Sequence, residues 1–136
     1  MAPIAQRRPF LLPTDLAANA FLRKREGTER LTLIRGKKKI LPGIELIIAP
    51  GHTPGLQVTA VNTAKGTAIV GSDVAHTFFS YETDIPSAYI IDLVSWMKSY
   101  DMVRAKASSS DLLFPGHDTK MTENFPKVAE GITRLV

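Results

Sequence analysis

The chain contains no cysteine. A disulfide framework and a thiolate metal site are therefore both excluded, and any metal has to be held by imidazole and carboxylate. Histidine is nearly as scarce: there are three, His52, His76 and His117, and none precedes position 52. Long apolar runs are missing as well. The longest, Ile85 to Met97, is interrupted by Pro86, Ser87, Asp92 and Ser95, so no membrane partner is expected. Arg7 and Arg8 are not followed by the apolar core of a signal peptide, and the expected setting is cytoplasmic. Charge of one sign is in small excess, a formal +4, which permits weak attraction to acidic surfaces without specifying a partner. The basic runs Arg23-Lys24-Arg25 and Lys37-Lys38-Lys39 carry no interleaved aromatic residues. They read as a solvated face and a charged hairpin tip, and no nucleic acid is expected as a partner.

What is present suits one domain. With 136 residues, 44% hydrophobic and 22% charged, the chain can bury a modest core. Its organising stretch is Ala49-Pro50-Gly51-His52-Thr53-Pro54-Gly55, set between the apolar run Ile44 to Ile48 and the alternating run Leu56 to Val61. Prolines stiffen this loop and glycines open unusual dihedrals to it, so its histidine is either a held ligand or an ordinary solvated turn residue. Two further stretches repeat the arrangement. Thr67 to Val70 runs into Gly71-Ser72-Asp73, and Asp111 to Phe114 runs into Pro115-Gly116-His117-Asp118. His52, Asp73 and His117 are thus three candidate ligands at three strand ends, of residue types that borderline divalent metals accept.

Patterning predicts the remaining elements. Thr14-Asp15 is a candidate cap for a short helix over Leu16 to Arg25. Leu31 to Arg35 and Ile40-Leu41 read as strands flanking a turn at Gly36 to Lys39, followed by strands at Gly43 to Ile48, Leu56 to Val61 and Thr67 to Val70. Pro86-Ser87 opens a helix whose core stripe is Ile90, Leu93, Met97, Tyr100, Val103 and Ala107. Asp111 to Phe114 is a strand, and the tail from Glu123 is a helical turn followed by a closing strand at Ile132 to Val136. Residues 1–30 are expected as an amino-terminal extension with no structure assigned beyond the short helix, and residues 31–136 as the domain.

In order and context, Gly43-Ile44-Glu45 through Gly55-Leu56-Gln57, Ser72-Asp73-Val74-Ala75-His76, the long helix and Phe114-Pro115-Gly116-His117-Asp118 resemble the carboxy-terminal half of the metallo-β-lactamase superfamily. Within it they resemble the N-acyl homoserine lactonases, the quorum-quenching hydrolases. The resemblance implies an α/β (α+β) fold, the αββα sandwich, represented mainly by its carboxy-terminal half. It implies a zinc-dependent hydrolase that opens a lactone or ester with a metal-activated hydroxide. His52 and His117 would each bind one of two zincs, and Asp73 would bridge them.

Departures from the pattern are as informative. The family's His-x-His-x-Asp-His motif, source of further ligands and of the proton-carrying acid, is absent, since no histidine precedes position 52. At most one weakly bound zinc and no activity of the chain alone are therefore expected. The alternative is a non-catalytic truncated remnant or an interaction module. Where lactonases usually carry a carbonyl-polarising tyrosine, this chain has His76. That histidine is either a catalytic hydrogen-bond donor or a surface loop residue. A half sandwich would also leave one sheet face bare, so a homodimer or pairing with another chain through that face is expected.

Overall fold

A computed structural model describes residues 16–136 and divides them at Ile34/Arg35 into two units. The first contains helix α1 (Leu16–Arg23), beyond which the Arg25 guanidinium lies 3.3 Å from the centre of the Phe21 ring and donates to the Phe21 carbonyl at 2.9 Å. The expected cap at Thr14-Asp15 lies outside the described residues. Leu31 to Arg35, expected as a strand, forms no regular structure.

In the second unit the reason is visible. Pro42-Gly43 joins strands β1 (Lys37–Leu41) and β2 (Ile44–Ile48), with Leu41 paired to Ile44. Gly43 takes φ +78°, and proline followed by a positive-φ glycine suits a tight two-residue turn. The turn is therefore not at Gly36 to Lys39. The three lysines lie in β1, the sheet's edge strand, exposed throughout, where charge discourages further strand pairing.

Strands β3 (Gln57–Thr63) and β4 (Gly66–Ser72) continue the antiparallel meander. Strand β5 (Leu113–Pro115) then adds parallel to β4, giving the order β1-β2-β3-β4-β5. A parallel neighbour requires a crossover, supplied by helices α2 (Phe78–Glu82) and α3 (Leu93–Lys106) and a 3-10 turn at Ser110–Leu112. The tail forms α4 (Lys120–Glu123) and a hairpin of β6 (Lys127–Ala129) and β7 (Ile132–Thr133). It is not the single closing strand expected, because Gly131 at φ +69° turns the chain back on itself.

Helix α3 starts at its Asp92 cap, not at Ser87. The Gly51 carbonyl accepts the Ile91 and Asp92 amides, both at 3.0 Å. Asp92 then accepts from the Ser95 amide at 3.0 Å and from its hydroxyl at 2.6 Å, satisfying a donor that the first helical turn leaves free. The expected stripe is shifted accordingly: Ile90 and Leu93 are exposed, whereas Trp96, Ser99, Tyr100 and Val103 are buried. They occupy one helical face at spacings of three and four and share the core with Val58, Ala60, Ile69 and Leu113. Glu45 on that side of the sheet meets Lys106 at 2.9 Å.

The register puts Leu46, Thr59 and Val70 side by side on the opposite face. A second cluster of Ala68, Leu112 and Phe114, with Met121, Phe125 and Leu135, covers part of that face. Val70 nevertheless stays 46% exposed, and Leu46 and Thr59 are half-buried. Among the described residues no helix is long and apolar enough to cross a membrane.

Candidate metal centre

Strands β2, β4 and β5 run in the same direction, so the loops after them emerge at one edge of the sheet. Those loops carry His52, Asp73 with His76, and His117. The His52 loop is closed at its base by the Ala49 amide donating to the Leu56 carbonyl at 2.8 Å and is tied to α3 by the Ser99 hydroxyl donating to the Pro50 carbonyl at 2.7 Å. Asp73 follows Ser72, whose φ of +49° turns the chain sharply out of β4. The two remaining loops are sewn together. Gly116 donates to the Ala75 carbonyl at 2.9 Å and His117 to the His76 carbonyl at 2.8 Å. Asp118 also accepts from the Phe78 amide at 2.9 Å. A side chain at Gly116 would meet the Ser72 carbonyl oxygen at 2.8 Å, so this close approach needs glycine.

All three histidines and Asp73 converge. His117 Nε2 lies 2.7 Å from Asp73 Oδ1, and His52 Nε2 lies 3.7 Å from Asp73 Oδ2. The His76 ring stacks on His117 with centroids 5.1 Å apart and meets His52 edge-on at 5.2 Å. Donor atoms of Asp73, His76 and His117 all fall within 4.8 Å of one another; His52 stands just outside that set. His52 Nδ1 is 2.9 Å from the Tyr89 carbonyl. A carbonyl can only accept, so Nδ1 carries the proton and the Nε2 lone pair is free on the Asp73 side.

Trp96, fully buried, packs against two of these rings, 5.6 Å from His52 and 6.0 Å from His76, with its indole N–H donated to the Val74 carbonyl at 2.7 Å. Burial, the largest influence, holds the His76 imidazole below its ordinary value of 6.5. The Asp73 carboxylate opposes this, and His52 and His117 reinforce it. Buried His76 Nδ1 has no hydrogen-bond partner. One carboxylate among three imidazoles, one of which has an orphaned nitrogen, is a donor set that zinc accepts.

Three features were missed in the sequence. The Tyr89 carbonyl is a backbone group without a sequence signal. Trp96 was visible only as an apolar residue one position before Met97, and Asp118 only as the acid next to His117. A separate cavity of about 450 Å³ is lined by Tyr81, Glu82, Arg104, Ala107 and Ser108 to Ser110, away from these residues.

No family model matches the chain. An N-acyl homoserine lactonase from a Bacillus species is 28% identical over 87 residues, 63% of this chain and 35% of that protein. The solved N-acyl homoserine lactone hydrolase with the product N-hexanoyl-L-homoserine at its catalytic metal centre superposes with a TM-score of 0.60 at 26% identity, over 70% of this chain and 38% of that one. The structure of AidC, a dizinc quorum-quenching lactonase, superposes with a TM-score of 0.57 at 21% identity, over 76% and 35% respectively. The chain thus has the metallo-β-lactamase fold over the matched segment. Its homologues by sequence are N-acyl homoserine lactonases, and it spans little more than a third of their length.

Proposed function

We propose that the chain supplies part of a zinc-dependent hydrolase that opens a lactone or ester ring, with His52, Asp73 and His117 as its contribution to the metal centre. The observation carrying this reading is the meeting of these residues at one sheet edge, with His117 Nε2 2.7 Å from Asp73 Oδ1. Zinc, when bound, supplies a hydroxide at neutral pH and polarises the substrate carbonyl. The chain's own residues prepare that site. The Tyr89 carbonyl orients the His52 ring, and the Gly116–Ala75 and His117–His76 backbone bonds hold the His117 loop against the Asp73 loop.

These 136 residues do not include the acidic proton carrier of the His-x-His-x-Asp-His motif, and the His117 side chain is 60% exposed. Turnover therefore requires a complementing segment that carries the motif, which would seat on the sheet face of Leu46, Thr59 and Val70. The half-exposed state of that face also favours a second reading, a non-catalytic interaction module that uses the same surface. Opening of an acyl homoserine lactone with added zinc separates the two. The hydrolase reading requires activity when a segment carrying the missing motif is added in trans, and loss of it in Asp73→Asn. The module reading requires binding of the segment without turnover.

A further inference from the structure

His76 occupies the place that the lactonase resemblance gives to a carbonyl-polarising tyrosine, yet the geometry points to another role. We infer that His76 is itself a metal ligand, joining Asp73 and His117 in a three-donor site for one divalent cation of the zinc or cobalt kind. This inference rests on the metal-centre reading above and deepens it, because that reading draws its donors from His52, Asp73 and His117.

Three observations carry it. The tight donor set is Asp73, His76 and His117, with all three ligand atoms within 4.8 Å of one another. Donors of a tetrahedral zinc ion stand about 3.3–3.4 Å apart at normal bond lengths, so a bound ion would draw the set in by up to about 1.5 Å. Second, the His76 ring is held without using its Nδ1. It is stacked at 17° on His117 and flanked by Trp96, and its backbone carbonyl is taken by the His117 amide. Third, that Nδ1 is buried and unpartnered. A surface loop histidine would have its nitrogens in water, whereas the His76 ring has an unpartnered buried nitrogen and stands with a carboxylate and a second imidazole, the partners a divalent cation accepts.

The test uses the full chain stripped of metal with a chelator. The sequence holds three histidines, so long-range proton–nitrogen spectra can follow each ring as zinc is added. His76 and His117 nitrogens are expected to shift together and saturate at one equivalent. The variant His76→Gln should weaken zinc binding roughly 100-fold or more, since losing even an outer partner costs 10–100-fold, with its circular dichroism and Trp96 emission unchanged. If zinc moves His52 and His117 but leaves His76 unmoved, or if folded His76→Gln binds zinc as tightly as the native chain, His76 is no ligand although the metal centre stands. If the native chain takes up no zinc, both readings fall. Should His76→Gln misfold, the native-chain spectra decide alone.

Discussion

Gly51 backs directly onto Trp96: a methyl group on its α-carbon would lie 2.5 Å from the Trp96 Cα, and Gly51 itself sits at φ +146°. The histidine loop and the core tryptophan are therefore in backbone-to-backbone contact, and neither can move without the other. Gly51→Ala should lower stability by about 1–3 kcal/mol through overpacking alone, more where the positive φ adds strain. Gly55→Ala in the same loop, with nothing within 4 Å of the added carbon, should stay within about 0.5 kcal/mol. Urea unfolding of the two variants checks the contrast.

Ser99 provides a second tie. Its buried hydroxyl donates to the Pro50 carbonyl at 2.7 Å. Ser99→Ala leaves that carbonyl without this donor and should cost about 1–3 kcal/mol. Zinc affinity should fall with it, because Pro50 is two residues from His52. Calorimetric zinc titration beside urea unfolding measures both effects. Unchanged affinity in a destabilised variant would show that the loop holds its shape without this bond.

The Glu45–Lys106 pair fastens β2 to the last turn of α3. The hydrogen bond from Lys106 is the main reason the Glu45 carboxyl lies below its ordinary 4.5; desolvation opposes it, and the Lys106, Lys37 and Lys39 charges add to it. A carboxyl whose folded value is depressed contributes stability above its unfolded value and loses it as pH falls through the folded one. Thermal melts from pH 6 downward should show the native chain losing this contribution below about pH 4.5. Lys106→Ala should lack most of it at every pH and so show a flatter acid limb.

The sheet face around Val70 gives a prediction about association. With Val70 46% exposed between its strand neighbours, the purified chain should dimerise or bind hydrophobic dyes. Val70→Lys should suppress both while altering unfolding free energy by no more than about 0.5 kcal/mol. Light scattering that shows a compact, dye-silent native monomer would rule this out.

For catalysis, the expected result is no zinc-dependent lactone opening by the chain alone. General acid–base help is worth roughly 10² to 10⁴ in rate, and its carrier is not in this sequence. Addition of the missing motif in trans should restore turnover, and His52→Ala and Asp73→Asn should abolish it. Robust turnover by the unassisted chain, lost in both variants, would show that its own ligands suffice.

Much of this architecture was legible in the chain itself. Four of the sheet's strands and the long helix fall close to where alternation and three-four spacing put them. The candidate ligands were found because each follows an apolar strand and a glycine. What could not be read was set by tertiary contacts. Leu31 to Arg35 alternates like a strand, but the edge of β2 is taken by the lysine-rich β1. Ser87 looks like a helix start, but the Gly51 carbonyl claims the Ile91 and Asp92 amides and delays the helix to Asp92. His76 entered the donor set only when the Gly116 and His117 amides pulled the two loops together, a pairing that no local pattern announces.

The 2.7 Å contact of His117 with Asp73 joins residues 44 positions apart, across the whole crossover between β4 and β5. Strand β5 is only three residues long and parallel to its neighbour, so few ladder bonds reward the closing of so long an excursion. The contact consequently works as a clasp, and fastening it should be among the late events of folding. A cation held at that point would bind only the fastened form, slowing the clasp's release and making the reopening rate of the crossover a direct function of free metal concentration.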